Sequence, residues 1–507
     1  MIVELFDKII FGFGVALSVQ NLLYSLIGVL IGTLIGVLPG IGPLVTIAML
    51  LPVTFNLAPT ASLIMLAGIF YGAQYGGSTT SVLMNLPGET SSVVTCLDGY
   101  QMAKQGRAGP ALAIAAIGSF FAGCVGTLLI GIAGPVLAEL AIKFTAPEYF
   151  SLMLLGLVGA AVLTQGDMVR SLAMLVAGLL LGIVGADVNT GLLRFTFGIY
   201  ELSDGVGFTI IGVALFAVPE IVKNLEETEQ GEIYTGKVTG LIPTLVDLKA
   251  SALPILLGTG IGSFFGILPG IGPITSTFCS YAVEKKLSKD PARFGRGAIE
   301  GVASPESANN AAVQCSFIPM LTLGLPSNPV MALFLGALMI HGITPGPQIM
   351  VRNPGLFWGL IASMWIGNLM LVLLNLPLIG VWVKMLKVPY RWMFPSILVL
   401  CAVGNYSVNN SSTEIYLTAA MGILGYILIK LRCEPAPMVM GFVMGPMMEE
   451  NLRRSMLLSQ GDPMVFITWP ISLGFILATV FLIILMTIVP VIRKRRQKDD
   501  AASTGKT

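Results

Sequence analysis

The stretch GVLIGTLIGVLPGIGP (residues 28–43) returns as GTGIGSFFGILPGIGP (residues 258–273). Gly28, Gly32 and Gly36 lead into Val37-Leu38-Pro39-Gly40-Ile41-Gly42-Pro43. Gly258, Gly262 and Gly266 lead into Ile267-Leu268-Pro269-Gly270-Ile271-Gly272-Pro273. Every repeated residue lies 230 positions on (258 against 28, 273 against 43). A shared pattern of this length marks an internal duplication, and it decides the fold before any single element is read. Proline removes a backbone donor and breaks a helix, while glycine lets the chain turn and a ligand come close. Each copy therefore reads as an apolar helix, a break, and a second helix.

Working outward, the match weakens but continues. Gly76-Gly77-Ser78-Thr79-Thr80-Ser81 falls opposite Glu306-Ser307-Ala308-Asn309-Asn310-Ala311. Asn85-Leu86-Pro87-Gly88 resembles Gly324-Leu325-Pro326-Ser327 after an insertion of 9 residues (an offset of 239, 326 against 87, in place of 230). Ala146-Pro147 then sits opposite Val388-Pro389. The polar stretch Lys223–Lys249 separates the two halves.

The medium follows from composition. The chain is 55% hydrophobic and 11% charged over 507 residues, whereas soluble domains carry about 25% charge. So little charge cannot cover a water-facing surface of this size, so lipid is the solvent. Backbone groups in lipid must pair internally, which leaves helices or a closed barrel. Apolar runs such as Phe357–Trp382 and Trp469–Val491 far exceed barrel strands of about 10 residues and suit helices of about 20. A net charge of +1 gives no reason to expect nucleic acid. The six cysteines are scattered without a CxxC pair and read as small buried residues. A single histidine, His341, rules out a histidine-built metal centre and reads as a loop residue rather than a proton relay. No metal site is expected, and the N-terminus shows no removable signal peptide.

Charge sets orientation, because Lys and Arg favour cytoplasmic loops. Lys494, Arg495, Arg496 and Lys498 place the C-terminus in the cytoplasm. The loop Glu284–Arg296 holds five basic residues, and its counterpart Val53–Pro59 holds none. Lys104 and Arg107 contrast with the lone Arg352. Lys384, Lys387 and Arg391 contrast with Lys143, and Arg170 with the uncharged run Asn405–Thr413. The basic side swaps between matched loops, as repeats of opposite membrane orientation require. The expected fold is an all-α polytopic membrane protein with two inverted-topology repeats and about 11–12 membrane-spanning segments. Each repeat is expected to carry a re-entrant Gly/Pro-broken hairpin with half-length arms. The segments are an N-terminal piece (1–20), repeat 1 (21–223), a polar linker (224–249), repeat 2 (250–451), a closing transmembrane helix (452–492) and a basic cytoplasmic tail (493–507).

The breaks and the polar elements beside them carry the candidate chemistry. A helix restarting after a break offers free N–H groups and a positive dipole end to an anion. Freed carbonyls can instead hold a cation. The competing reading is a kink with close glycine packing between spans. It is preferred for the Gly28/32/36 and Gly258/262/266 ridges, and a ligand site is preferred for the Pro-Gly-Ile-Gly-Pro breaks. Ser, Thr and Asn beside the breaks either pair across helices or bind a small organic anion and a dehydrated Na⁺. The substrate-binding candidates are Gly40, Gly42, Ser78, Thr79, Thr80, Asn85, Gly270, Gly272, Asn309, Asn310 and Ser327. Glu89, Glu306 and Thr322 are the ion-coupling candidates, since acids at membrane depth mark proton or cation handling. Glu306 reads equally well as a helix-start cap. No Lys or Arg lies inside an expected span, so dipoles and a co-transported cation must balance an anion. No cofactor is called for beyond a bound Na⁺. No nucleotide or catalytic motif appears, so the chain is not expected to be an enzyme. The alternatives are an ion or solute channel, or an integral-membrane enzyme acting on a lipid-linked substrate. The first would show no uphill accumulation, and the second lacks the clustered acids or His/Asp pair it needs.

These motifs, together with Tyr71-Gly72, Leu97-Asp98-Gly99-Tyr100, Asp187-Val188-Asn189-Thr190-Gly191, Arg194-Phe195-Thr196-Phe197, Pro305 through Ala311, Ser316 through Gly324, and Ile343-Thr344-Pro345-Gly346-Pro347, resemble the large membrane subunit of tripartite tricarboxylate transporters, the TctA type. The resemblance runs from about Asn21 to Arg454. It implies a secondary transporter of the bacterial inner membrane, importing a tri- or dicarboxylate such as citrate by symport with Na⁺ or H⁺. It also implies two partners, a periplasmic solute-binding protein and a small transmembrane subunit. The uncharged Ser78-Thr79-Thr80 run, where an arginine would fit the family pattern, leaves the carboxylate open.

Overall fold

The computed structural model describes residues 2–38, 42–163, 167–187, 190–226, 240–268, 272–385 and 390–484. The chain opens with α1 (Ile2–Ala16), α2 (Val19–Val37), α3 (Pro43–Thr54), α4 (Pro59–Met84), α5 (Val93–Lys104), α6 (Ala108–Ile142), α7 (Ala146–Leu163) and α8 (Met168–Gly182). A two-residue antiparallel ribbon follows, Gly185–Ala186 with Leu193–Arg194. Next come α9 (Phe208–Gly212), a π-helical turn over Val213–Ala217, and α10 (Val218–Glu226). The second half holds α11 (Leu245–Ile267), α12 (Gly272–Leu287), α13 (Glu300–Cys315), α14 (Phe317–Leu323), α15 (Pro329–Ile340), α16 (Ile349–Arg352) and α17 (Pro354–Asn375). It continues with α18 (Ile379–Met385), α19 (Tyr390–Asn409), α20 (Ser412–Lys430), α21 (Pro435–Leu458) and α22 (Val465–Thr468). The last described helix is α23 (Pro470–Ile484).

Local sequence sets these bounds. Proline opens α3, α4, α15, α17 and α21, where its missing N–H costs nothing. α2 and α11 stop alike: a residue before proline is driven out of the helical region, and Leu38 (φ −90°, ψ 111°) and Leu268 (φ −79°, ψ 129°) are extended.

Among the described residues, α2, α6, α11, α17 and α20 are long and apolar enough to cross a membrane. Six shorter apolar helices accompany them. The core is apolar, but apolar side chains also cover the outside and a set of polar ones is buried. Leu128, Ile132, Val136 and Leu140 form an exposed stripe along α6, while Gln74, Ser78, Thr80, Glu306, Asn309 and Asn310 are buried. This is a polytopic helical membrane protein.

The first arms of the broken hairpins are longer than half-length. α2 has 19 residues and α11 has 23, or about 28 and 34 Å at 1.5 Å per residue. α3 and α12 have 12 and 16. The arms also differ in setting. α12 folds back along α11, both lying on α13: a Cβ at Gly258 would meet Ser304 O and one at Gly262 would meet Ala308 O, and Ser280 and Ser276 bond to those same two residues. α3 leaves α2 and packs against α4, α19, α15 and the π-helical turn.

The glycine ridges are packing seams. A Cβ at Gly28, Gly32 or Gly36 would stand 2.2–2.5 Å from the carbonyl oxygens of Met65, Ile69 and Ala73. In repeat 2, a Cβ at Gly258, Gly262 or Gly266 would stand 2.1–2.5 Å from those of Ser304, Ala308 and Ala312. This register corrects one sequence pairing. The seam partners are offset by 239 (304 against 65, 308 against 69, 312 against 73), as is the Leu-Pro element. The extra residues therefore lie between α12 and α13, and Gly76–Ser81 is not the counterpart of Glu306–Ala311. Sequence similarity between two polar runs was the weaker guide; backbone contact at glycine leaves no freedom to slip.

The enlarged α12–α13 loop is pinned to repeat 1. Buried Asp98 on α5 accepts the backbone N–H groups of Gly295, Gly297 and Ala298 (2.8–2.9 Å) and the Tyr281 hydroxyl (2.8 Å). The halves also exchange partners. α6 lies on α13 and α11, and α17 lies on α4 and α2. Between α6 and α17, Gly123 faces Asn368, Gly131 faces Trp358, and Gly134 faces Phe357, so these two helices run in opposite directions. The basic tail from Lys494 lies outside the described residues, as do Val388-Pro389 and most of the linker.

Candidate functional site

The buried polar groups converge where α4 of repeat 1 meets α13 of repeat 2. Glu306 is 1% exposed. The Ser78 hydroxyl lies 2.5 Å from its Oε2, and Thr95 donates to its Oε1. One turn along both helices is Glu89. Its Oε1 accepts from Ser91 (2.6 Å) and from Asn309 Nδ2 (3.1 Å). Ser91 also lies 3.0 Å from Gln74 Oε1. Asn310 Nδ2 donates to Ser119 on α6 (2.7 Å) and to the Glu306 carbonyl (3.1 Å). Among the described residues, no ion pair reaches either carboxylate. Beside this cluster, Tyr75, Ser78 and Thr79 on α4, Ser119 on α6, Asn375 at the end of α17 and Ile379 on α18 line a small cavity between the halves.

The expected residues fall into three groups. Ser78, Asn309, Asn310, Glu89 and Glu306 are brought together, and Thr79 lines the adjoining cavity. Glu306 lies on the second turn of α13 and takes part in the cluster, so the helix-start cap does not describe it. Other residues hold the backbone. Thr80 Oγ1 donates to Val37 O (2.7 Å), one of the α2 carbonyls left open by the break before Pro39. Asn85 is exposed and ends α4 in the left-handed conformation (φ 56°), as Gly324 ends α14 (φ 71°). Ser327 donates to Ser316 O (3.3 Å), and Thr322 returns its hydroxyl to Ile318 O (2.7 Å), so neither points into the cluster. The third group is the breaks. Gly40 and Gly270 lie outside the described residues. Gly42 caps α3, and a Cβ there would meet nothing within 4 Å. Gly272 starts α12 at φ 56°.

Asn328 stands beside Gly272, its Cβ 3.7 Å from where a glycine Cβ would be built. Its Oδ1 accepts from Met331 N (3.0 Å) and caps α15. Among the described residues its Nδ2 is buried without a partner, and Asn328 is 6% exposed. A spare amide donor thus sits at the N-terminal end of a 16-residue helix, where backbone N–H groups and the dipole favour an anion.

Sequence reasoning missed Thr95, Ser91, Gln74, Ser119 and Asn328 as site residues. Gln74 carried a signal, since it lies four residues before Ser78 on one helical face, and Ser91 and Asn328 stand in the polar runs around the two Leu-Pro steps. Thr95 and Ser119 arrive from separate elements and carry no local pattern. His341, outside the apolar helices, ends α15 and stacks on Phe55 (6.4 Å); burial holds its imidazole below the ordinary histidine value. The Asp187 motif is structural. Asp187 pairs with Arg453 (2.6 Å), and Glu449 bridges Arg194 and Arg453 (2.6 and 2.7 Å), fastening the ribbon to α21.

Comparison with known proteins points one way. The family model described as "Tripartite tricarboxylate transporter TctA family" matches residues 22–440. An Agrobacterium vitis protein, "Uncharacterized 52.8 kDa protein in TAR-I ttuC' 3'region", is 55% identical over 495 residues, covering 98% of each chain. A second from the same organism, "Uncharacterized protein in TAR-II ttuC' 3'region", is 56% identical over 237 residues, covering 47% of this chain and 98% of its own length. No solved structure matches.

Proposed function

Because this chain belongs to the tripartite tricarboxylate transporter TctA family, we propose that it is the translocation subunit of a binding-protein-dependent secondary transporter that imports a tri- or dicarboxylate, driven by a cation gradient of Na⁺ or H⁺. A periplasmic solute-binding protein delivers the carboxylate, and a small transmembrane subunit accompanies this one in the bacterial inner membrane. The C-terminus lies in the cytoplasm, and the halves, residues 21–223 and 250–451, are inverted relative to each other. The opposite directions of α6 and α17 support that inversion.

The observation that carries the reading is the head of α12, with the unpartnered Asn328 amide beside it. A carboxylate there finds donors without any buried Lys or Arg, which suits a solute that must also be released. Glu306 and Glu89 lie in the neighbouring cluster and carry the coupling cation. Ser78, Asn309 and Asn310 surround the carboxylates, and Thr79 lines the cavity beside them. The chain does no covalent chemistry in this scheme.

Reconstituted uptake tests this. The chain and its small subunit in liposomes, with purified binding protein outside, are offered radiolabelled citrate, succinate, malate and tartrate under imposed Na⁺ or pH gradients. Uphill accumulation of at least one, dependent on the binding protein, is expected. Passive equilibration alone would indicate a channel and overturn the reading.

A further inference from the structure

Glu306 and Glu89 are acids that no ion pair reaches among the described residues. Glu306 is buried with two hydroxyls on it and, among the described residues, no cation paired with it. Its other titratable neighbours are Tyr75 on α4, Cys96 on α5 and Glu89. From α12, Tyr281 is turned to Asp98 and Glu284 faces Glu300. From α6, Cys124 faces Tyr75, and on α11 Asp247 is taken by Arg107 (2.5 Å). None of these supplies a positive charge to Glu306.

The hydrogen bonds around the pair can serve two protonation states. A serine hydroxyl has one proton to donate. Ser78 Oγ lies 2.5 Å from Glu306 Oε2 and 3.1 Å from the Gln74 carbonyl. If Glu306 carries a proton, it donates to Ser78, and Ser78 donates to Gln74 O. If Glu306 is ionised, the Ser78 hydroxyl turns to it. Only a hydroxyl rotates. Ser91 stands in the same way between Glu89 (2.6 Å) and Gln74 Oε1 (3.0 Å). Asn309 completes the set: its Nδ2 faces Glu89, while its Oδ1 is buried without a partner. Turning that amide over breaks no bond at Oδ1 and offers an acceptor to a protonated Glu89. The two acids are joined along α4 through Gln74 and Ser78, and along α13 through Glu306 and Asn309. A dehydrated Na⁺ would need these oxygens gathered around itself, but they are already bonded to one another.

We infer that Glu306 and Glu89 form a proton-carrying pair through which carboxylate uptake is coupled to proton influx. This rests on the transport reading above. One proton taken from the outer side loads the pair, crosses with the carboxylate, and leaves to the cytoplasm; no covalent bond in protein or solute changes. The hydroxyls and amides around the pair are positioning groups.

The test uses the complete system in liposomes, with radiolabelled citrate and succinate as probes. In sodium-free medium, an inside-alkaline gradient is expected to drive uphill accumulation. Glu306→Gln should lower that accumulation at least about tenfold, since an acid that carries the proton is needed for net coupling. Infrared spectroscopy of the membrane-inserted chain supplies a second readout that needs no solute. A protonated-carboxyl C=O band should be present and should disappear in Glu306→Gln or Glu89→Gln, both near-isosteric. Accumulation that follows Na⁺ and ignores pH would overturn the inference and leave the transport reading standing. So would normal gradient-driven uptake by Glu306→Gln, or a protonated-carboxyl band untouched by both substitutions. No accumulation of either probe by the wild type under any gradient would overturn the inference, and would overturn the transport reading as well if malate and tartrate also failed to accumulate.

Discussion

Glu89 and Asn328 occupy the same place in the two repeats, 239 positions apart and each at the turn after a Leu-Pro step. Around them the scaffolds agree closely. Glycine seams bind α2 to α4 and α11 to α13, and the helices before the turn end in left-handed Asn85 and Gly324. The chemistry does not agree. Repeat 1 puts a carboxylate at this turn and reaches across to Asn309; repeat 2 puts an amide there, with its donor free beside the head of α12. The hairpins diverge with it, since α12 folds onto α11 and α13 while α3 turns away to α19. Duplication supplied two frames, and on the proposed function divergence gives the cation to one and the anion to the other.

The largest expected effect attacks what the repeats share. Gly36→Val and Gly262→Val each force a side chain into a backbone carbonyl, and both should abolish the folded, detergent-extractable protein, as size-exclusion profiles would show. Survival of one variant alone would mean that only one half depends on its seam. The next attacks what differs. Asn328→Asp places a second negative charge at the head of α12 and should lower solute uptake at least about tenfold, roughly 1.4 kcal/mol or more of lost binding; Asn328→Gln should lose less. Equal losses would count against the anion site. Asn310→Ala removes the tie to Ser119 and should cut uptake several-fold with membrane insertion intact; normal uptake would remove Asn310 from the site. Asp98→Asn weakens the clamp on the α12–α13 loop, at a cost of about 1–3 kcal/mol, seen as a lower unfolding temperature in detergent with folding retained. The smallest effect belongs to Thr322→Val. That hydroxyl only returns to its own helix, so uptake within about twofold of wild type is expected, and a tenfold loss would restore Thr322 to the coupling machinery.

Much of this frame could be read from the residues. The duplicated Leu-Pro-Gly-Ile-Gly-Pro stretch located both helix breaks, because proline and glycine act locally. The Gly-x3-Gly ridges announced close helix packing for the same reason. The repeat register could not be had from similarity, since polar runs such as Gly76–Ser81 and Glu306–Ala311 look alike without being equivalent. It took backbone contacts at Gly28 and Gly258 to fix it. The partners of Glu306 were equally hidden. Ser78 and Thr95 belong to different helices of the other repeat, and nothing in their own neighbourhoods marks them. Hairpin arm lengths were misjudged because α11 begins inside the polar linker, at Leu245, under a Thr244–Asp247 capping box.

The division of labour between the repeats is most directly tested at two equivalent positions. Leu44 and Ile274 directly follow Pro43 and Pro273 at the starts of α3 and α12, and both are half-buried. With the six native cysteines replaced, Leu44→Cys and Ile274→Cys are each labelled with a small thiol reagent in the presence and absence of citrate or succinate. A bound carboxylate at the head of α12 should slow labelling at 274 by about tenfold and leave 44 unchanged. Equal protection at both, or protection at 44 alone, would contradict the account.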